Sequence, residues 1–314
     1  MNSQIETWRV NQFNANVYQL SQQRGSRLAA LCRNEEFTGK AEFFDRLGLA
    51  TAVDKVGRNT DTPNLDIAHS RRMVTTTTRE WGTLVDRKDK VQNIHNPENE
   101  YSIAAQNALG RKMDAVIIDA ALSAARTGED GSGSQSLGNA QKVASVSGGA
   151  LDYANVQALR KAKLIMDMNE VMGQRVIVHG ADFLEALLAS TQVTSSDFNT
   201  VKALVQGELD TFLGFKFIHS ELVSSLLATN YNSDTFLYNT TTGLYQGAAT
   251  AVGGTDKVAI AMVGDGIILG KNPNSIARVS EREDKSYSMQ VYASIDCGAT
   301  RMEEAKVVQI IYKA

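Results

Sequence analysis

Residues 96–128, NPENEYSIAAQNALGRKMDAVIIDAALSAARTG, read as one long helix. Asn96 is a good N-cap, Pro97 suits the first helical position, and Glu98 and Glu100 complement the positive end of the helix dipole. Apolar side chains then recur at Tyr101, Ala105, Leu109, Met113, Val116, Ala120 and Ala124, the period of one helix face. Gly128 supplies a C-cap. At 1.5 Å per residue, Pro97 to Ala125 spans roughly 43 Å, long for a globular protein. The stripe is built largely of small residues, so the helix is expected to lie along a sheet. A coiled-coil seam would demand larger side chains.

The stretch before this helix, 47–92, has a different character. Thr51 to Val56 and Met73 to Trp81 are β-branched and alternating, which is the strand signature, and the polar run Gly57 to Pro63 between them can only turn. A long two-stranded excursion is expected here. From 55 to 90 it carries eight basic residues against five acidic. An isolated hairpin is marginally stable in water, so this element needs a partner surface. Residues 1–46 are rich in Asn and Gln, with apolar side chains too widely spaced to build a core alone. They read either as an extension packed on the surface or as an arm reaching a neighbouring subunit.

Downstream, Glu129 to Gly149 is rich in Gly and Ser and reads as a mobile loop or linker. A second α/β region follows. Asp152 opens a helix carrying Val156, Leu159, Ala162 and Met166; Arg175 to Gly180 is a buried strand; Phe183, Leu184, Leu187 and Leu188 mark a further helix, and Val201, Leu204 and Val205 another. Gly207 and Gly214 bracket a turn into the strand Phe215 to Ile218, and Thr229 to Gly254 reads as exposed loop. Two closing strands are expected, at Tyr287 to Ile295 and Lys306 to Tyr312.

Whole-chain arithmetic narrows the class. In 314 residues there are 32 basic and 35 acidic side chains, a net charge of −3, which argues against a dedicated nucleic-acid binder. With 43% apolar and 21% charged residues the chain is expected to pack a core. No basic-then-apolar leader opens it, no apolar run approaches the span of a membrane helix, and the two cysteines, Cys32 and Cys297, suit a reducing compartment. The four histidines lie in separate segments with no CxxC or HxxxH, so no metal site is expected. The nucleophile elbow, the Walker loop and the HExxH helix are absent. Gly264 to Gly270 imitates a dinucleotide loop, but its third glycine is displaced and Lys271-Asn272-Pro273-Asn274 is no helix start; Gly264-Asp265-Gly266 reads as a tight turn between strands. Glu281, Glu283, Asp284, Glu303 and Glu304 read as solvated loop charges. No catalytic residue, cofactor or metal is expected.

An arm, a long hairpin, a long helix, a Gly-rich loop, an α/β region and closing strands, in that order, resemble the major capsid protein of tailed bacteriophages, the Hong Kong 97-type or Johnson fold. The pieces that carry the resemblance are Gln22 to Leu28 in the arm; Asp61-Thr62 and Arg71-Arg72 in the hairpin; Trp81 to Asp86 and Asp89; Ala108-Leu109 and Asp114 to Ala121 in the helix; Gly207 and Gly214-Phe215; and Gly298 to Arg301 with Val307-Val308. The resemblance implies an α+β fold with an N-terminal arm at 1–46, an extended β-hairpin loop at 47–92, a peripheral domain with its spine helix at 93–150 completed by 271–314, and an α/β axial domain at 151–270. It implies a non-enzymatic virion protein, assembled in the host cytoplasm as pentamers and hexamers of an icosahedral shell around double-stranded DNA. The near-neutral charge suits that cargo, since a strongly basic lining would hold phosphates through many counterion-releasing contacts. The implied partners are other copies of the chain, a separate scaffolding protein, a portal, DNA held without sequence specificity, and a decoration protein where the head carries one. Arg24, Arg27, Arg58, Asp61, Asp66, Arg71, Arg72, Arg79 and Glu80 are the candidate inter-subunit contacts. An encapsulin-like compartment protein, and more remotely a cytoplasmic nucleotide-binding α/β enzyme, are the alternatives.

Overall fold

The computed structural model describes residues 22–55, 57–58, 61–62, 64–85, 98–147, 150–151, 153–189, 211–223, 235–239, 244–251, 256–273 and 276–313. In chain order the first strands are β1 (Arg33–Glu36), β2 (Ala41–Leu47), β3 (His69–Thr75) and β4 (Thr77–Val85), followed by helix α1 (Glu98–Leu122). Strands β5 (Ala125–Thr127), β6 (Gly133–Gln135), β7 (Lys142–Ala144), β8 (Val146–Ser147) and β9 (Ala150–Leu151) come next, then α2 (Val156–Met168), β10 (Arg175–His179) and α3 (Ala181–Ala189). The remaining strands are β11 (Thr211–Phe212), β12 (Phe215–His219), β13 (Thr235–Asn239), β14 (Leu244–Ala251), β15 (Asp256–Val263), β16 (Ile267–Lys271), β17 (Ile276–Arg282), β18 (Ser288–Arg301) and β19 (Val307–Lys313). Among the described residues no helix is long and apolar enough to cross a membrane.

The chain divides into two compact units, one of Met1–Ser26, Thr78–Lys112 and Asn274–Asp296, the other of Arg27–Thr77, Met113–Pro273 and Cys297–Ala314. The second holds a mixed sheet in the order β11-β12-β10-β15-β19-β7-β14-β13. Its middle strands are buried on both faces, so they read as continuous apolar runs instead of alternating ones. On β15, Ala259, Ala261 and Val263 join α2 and α3 residues such as Leu159, Met166, Phe183 and Leu187 in one core. Val258, Ile260 and Met262 face the other way and pack with Ile117, Ile118 and Ala121 of α1 and with Leu28. The same unit contains a sheet in the order β2-β3-β5-β6, and β1 pairs in parallel with β16, Arg33 opposite Ile268. In the first unit β17 pairs with the start of β18, from Ile276 opposite Ser294 to Arg282 opposite Ser288.

Several expectations shift. The first hairpin strand is β2 at 41–47, paired with β3 from Ala41 opposite Thr75 to Leu47 opposite His69, while the described residues of 51–56 form no strand. Phe43 and Phe44 with flanking charges give β2 its pleated alternation, and a cross-strand partner outweighs the β-branched look of 51–56. Residues 33–36 lie within the stretch read as an arm but form sheet strand β1. The Gly/Ser-rich 129–149 is not a linker throughout: β7 sits in the large sheet between β19 and β14, with Val143 and Ala144 buried. Its glycines serve the turn from β5 to β6, where Gly131 takes φ +69°. Thr229 to Gly254 contains the antiparallel pair β13 and β14, which gains a third strand, β7, at the sheet edge. The Gly264-Asp265-Gly266 turn stands between β15 and β16 as expected, whereas the helix expected around 201–205 and the N-cap at Asn96 lie outside the described residues. The cap of α2 is Asn155 and not Asp152: its Oδ1 accepts from the Ala158 N–H at 2.9 Å, one turn into the helix.

Both cysteines are buried free thiols. Burial, and then the nearby Asp114 carboxylate, pushes the Cys32 thiol up to about 12. A thiolate-dependent reagent is therefore expected to leave Cys32 untouched in the native protein and to find two thiols per chain only in denaturant. Rapid native labelling of Cys32 would show the site to be open.

Candidate functional site

Helix α1 is organised by more than its apolar stripe. Tyr101 is exposed and Leu109, Met113 and Val116 only half-buried, whereas Asn107, Gly110, Asp114, Ile117, Ile118 and Ala121 are buried. The buried face thus contains an amide, a glycine and a carboxylate, residue types a hydropathy pattern discards. Each has a chain-specific task. The Asn107 Oδ1 accepts a hydrogen bond from the Gly25 N–H at 3.1 Å. Asp114 accepts from the N–H of Arg27 at 2.9 Å and of Leu28 at 3.1 Å, one to each oxygen. A carboxylate holding two backbone donors makes charge-assisted bonds, stronger than neutral ones.

Gly110 has no room for a side chain. A Cβ there would overlap the backbone of Gly25 and stand 2.7 Å from the Ser26 nitrogen. Gly25 itself takes φ +63°, a turn any other residue adopts at a cost. The Gly110→Ala variant is expected to lose about 1–3 kcal/mol of stability, because overlap with backbone outweighs alanine's better helix propensity. Urea denaturation followed by circular dichroism measures it; a midpoint at or above that of the parent would contradict the close crossing.

The helix ends at Leu122, before the expected Thr127-Gly128, so Gly128 follows a strand instead of capping the helix, for two reasons. Ala125–Thr127 are taken by β5, which pairs with β3. Arg301 then holds the carbonyls at the helix end: its Nη1 donates to Ala121 at 2.9 Å and Ser123 at 2.8 Å, and its Nη2 to Gln135 at 3.0 Å. This side chain is fully buried.

Beside it lies a cluster centred on Glu304. The Arg72 guanidinium donates to its Oε1 at 2.6 Å, Arg46 to its Oε2 at 3.4 Å, and the Arg301 Nε stands 3.9 Å from Oε1. Arg46 also donates to the Met302 carbonyl. Alternation along β3 separates the roles of its arginines: Arg71 faces outward, opposite Asp45 on β2, and pairs with it at 2.6 Å, while Arg72 is turned in and is 4% exposed. The exposed Arg71–Asp45 pair contributes little stability. Burial lowers the Arg72 pKa below that of an ordinary guanidinium, Glu304 opposes this, and the neighbouring Arg46 charge adds to the lowering. Arg46, Arg71, Arg72 and Glu304 line an open cleft of about 860 Å³ together with Asp45, His69, Ser70, Gln135 and 127–129.

The connection from β2 to β3 is the third feature. Its ends are closed by Gly48 N–H to the Ala68 carbonyl at 2.7 Å. Beyond that point the described residues of 49–67 are exposed except Gly57, and they include Leu49 at 91%, Val53 at 58%, Leu65 at 47% and Ile67 at 40%. Monomeric soluble proteins seldom gather that many bare apolar side chains on one segment.

The residues singled out from sequence are therefore dispersed. Arg58, Asp61 and Asp66 are exposed on this connection, and Arg24 and Arg27 are exposed near the start of the described chain. Arg27 donates to the His219 carbonyl at 2.5 Å. Arg71 and Arg72 line the cleft with in-chain partners. Glu80 accepts a bond from the Tyr292 hydroxyl at 3.0 Å, and the buried Arg79 Nε has no acceptor among the described residues. Glu304, read from sequence as a solvated charge, is instead the acceptor at the centre of the cluster; Arg301 stands three residues before it, but the two guanidiniums that donate to it, Arg46 and Arg72, come from distant strands and leave no local signal. Among the described residues no group of three or more His, Cys, Asp or Glu side chains is placed to hold a metal ion.

Comparison with known proteins gives one consistent result. A family described as phage capsid protein matches residues 5–314. No curated protein matches the chain. Among solved structures, the chain is similar to the capsid of the cyanophage P-SCSP1u, with 15% identity, TM-score 0.70, and 99% of this chain and 94% of that one covered. It is also similar to the capsid of Ralstonia phage GP4, at 10% identity and TM-score 0.70 with 98% and 96% covered. The capsid of a native GTA particle matches at 13% identity and TM-score 0.65 over the whole of both chains.

Proposed function

Because this chain belongs to the phage capsid protein family, over residues 5–314, we propose that its copies assemble as pentamers and hexamers into an icosahedral head around double-stranded DNA. It is a structural major capsid protein, a component of the virion, with a mixed α and β fold. In this reading the chain performs no catalysis of its own. Residues 47–92 form the loop that reaches other copies, 1–46 an arm, 93–150 with 271–314 the periphery of the subunit and 151–270 the part nearest the symmetry axes. Arg58, Asp61 and Asp66 on the loop, and Arg24 and Arg27 on the arm, are its contact residues. Scaffolding, portal and decoration proteins are the expected further partners.

The observation that carries the assembly reading is the bare apolar row Leu49, Val53, Leu65 and Ile67. Fully burying one such side chain is worth about 1.5–3 kcal/mol, and every copy in a closed symmetric shell gains the same amount. A covered loop on each of many copies supplies the large interfaces that permanent assemblies need without enlarging the core.

Negative-stain microscopy of the purified, concentrated protein, with and without a scaffolding protein, tests this. Closed particles of uniform diameter are expected. Monomers that persist under every condition would overturn it. Double-stranded DNA recovered from particles isolated from infected cells separates a phage head from a compartment that encloses protein.

A further inference from the structure

The Glu304 cluster carries more positive charge than its own carboxylate answers. Three guanidiniums, Arg46, Arg72 and Arg301, stand within 4 Å of one carboxylate, at 3.4, 2.6 and 3.9 Å. Arg301 spends its terminal nitrogens on backbone carbonyls. Arg72 is nine-tenths or more buried, and its Nε–H has no acceptor among the described residues. A buried donor left unmet costs free energy, and a buried guanidinium costs more unless its charge is answered. Among the described residues lining the cleft, the other acids do not fill the gap: Asp45 is bound to Arg71, and Glu129 is exposed to solvent. The cleft beside the cluster is open and polar, with Arg46 and Arg72 both in its wall. Planar forks in such a setting suit an oxyanion, which accepts from two guanidiniums at once.

We infer that this cleft is an oxyanion site, filled in the shell by a carboxylate side chain of a neighbouring copy. The neighbour's part of this rests on the shell reading above; the site itself does not. Asp61 and Asp66 are suitable acceptors. Both are exposed, have no ion-pair partner among the described residues, and lie on the connection between β2 and β3, whose 21 residues from 48 to 68 can carry them well beyond their own strand ends. Inorganic phosphate offers the same chemistry and serves as the probe.

The test follows thermal unfolding of dissociated subunits while phosphate replaces chloride at constant ionic strength. Phosphate is expected to raise the midpoint by about 2–4 °C when present well above its dissociation constant. Arg46→Met is expected to abolish that rise, and Arg46→Lys, which keeps the charge but not the fork, to keep part of it. Circular dichroism of both variants confirms that they are folded before the comparison is made. Assembled particles should show no response, their sites being already occupied, and Asp61→Asn with Asp66→Asn should restore the response in particles. Subunits indifferent to phosphate would overturn the site. Responsive subunits that give equally responsive wild-type particles would overturn the neighbour's carboxylate and assign the cleft to a free anion. Failure of the parent chain to form particles at all bears on the shell reading, and leaves the subunit result to judge the site alone.

Discussion

The Arg301→Met variant is expected to lose about 3–5 kcal/mol of stability, enough to leave much of the chain unfolded or insoluble on expression. The side chain is 0% exposed and donates to three backbone carbonyls, those of Ala121, Ser123 and Gln135. Two of these belong to the last turn of α1 and the residue after it, where helix carbonyls have no partner within the helix and the dipole is negative. Methionine fills a similar volume but donates nothing. Each orphaned carbonyl then costs about 1–3 kcal/mol. The costs do not simply add, because removing a buried guanidinium also removes its own desolvation penalty. Arg301→Lys, with three donors but no planar fork, is expected to fall between. Urea unfolding of the purified variants decides it: a methionine variant whose midpoint equals that of the parent would show that the carbonyls find other donors.

Arg301 also shows where a sequence stops being legible. The long helix can be read from its period, and β10, β12, β15 and β19 from their apolar runs, because those signals depend on neighbours in the chain. The order of these elements suffices to place the family. What cannot be read is any residue whose role is set by something far away. Asn107, Gly110 and Asp114 look like interruptions of an amphipathic helix until Gly25, Arg27 and Leu28 are seen to cross it. Glu304 looks like one of two loop acids, yet it meets Arg46 and Arg72 from β2 and β3. Residues 51–56 show the opposite case: local β-propensity points to a strand, but the described residues there pair with none. Among the described residues these β-branched side chains join no strand and remain an exposed connection, which in the proposed shell is open to another copy.

Replacing residues 50–66 by Asn-Gly is expected to leave a folded subunit that no longer closes shells. The cut spares the base of the connection, where Gly48 bonds Ala68 and Leu47 lies opposite His69, and Asn-Gly is a turn that matches the twist of a two-stranded ladder. Extending it through Ser70 would remove the partners of Leu47 and Arg46 and confuse folding with assembly. Those of the deleted residues that are described contribute almost nothing to the subunit's own core, being exposed apart from Gly57. The urea midpoint should therefore move by no more than about 0.5 kcal/mol of stability, as for surface changes in general. Assembly should respond very differently. Val53 and Leu65 leave with the segment, and each would contribute about 1.5–3 kcal/mol per copy when covered. Single substitutions give a graded version of the test. Val53→Ser or Leu65→Ser should raise the concentration needed for shell formation by roughly tenfold or more, each tenfold corresponding to about 1.4 kcal/mol. Sedimentation of assembly reactions over a range of concentrations reads both effects. Normal particles from the deletion variant at parental concentration would mean that the exposed row is covered by nothing in the shell, and that the copies are held together elsewhere.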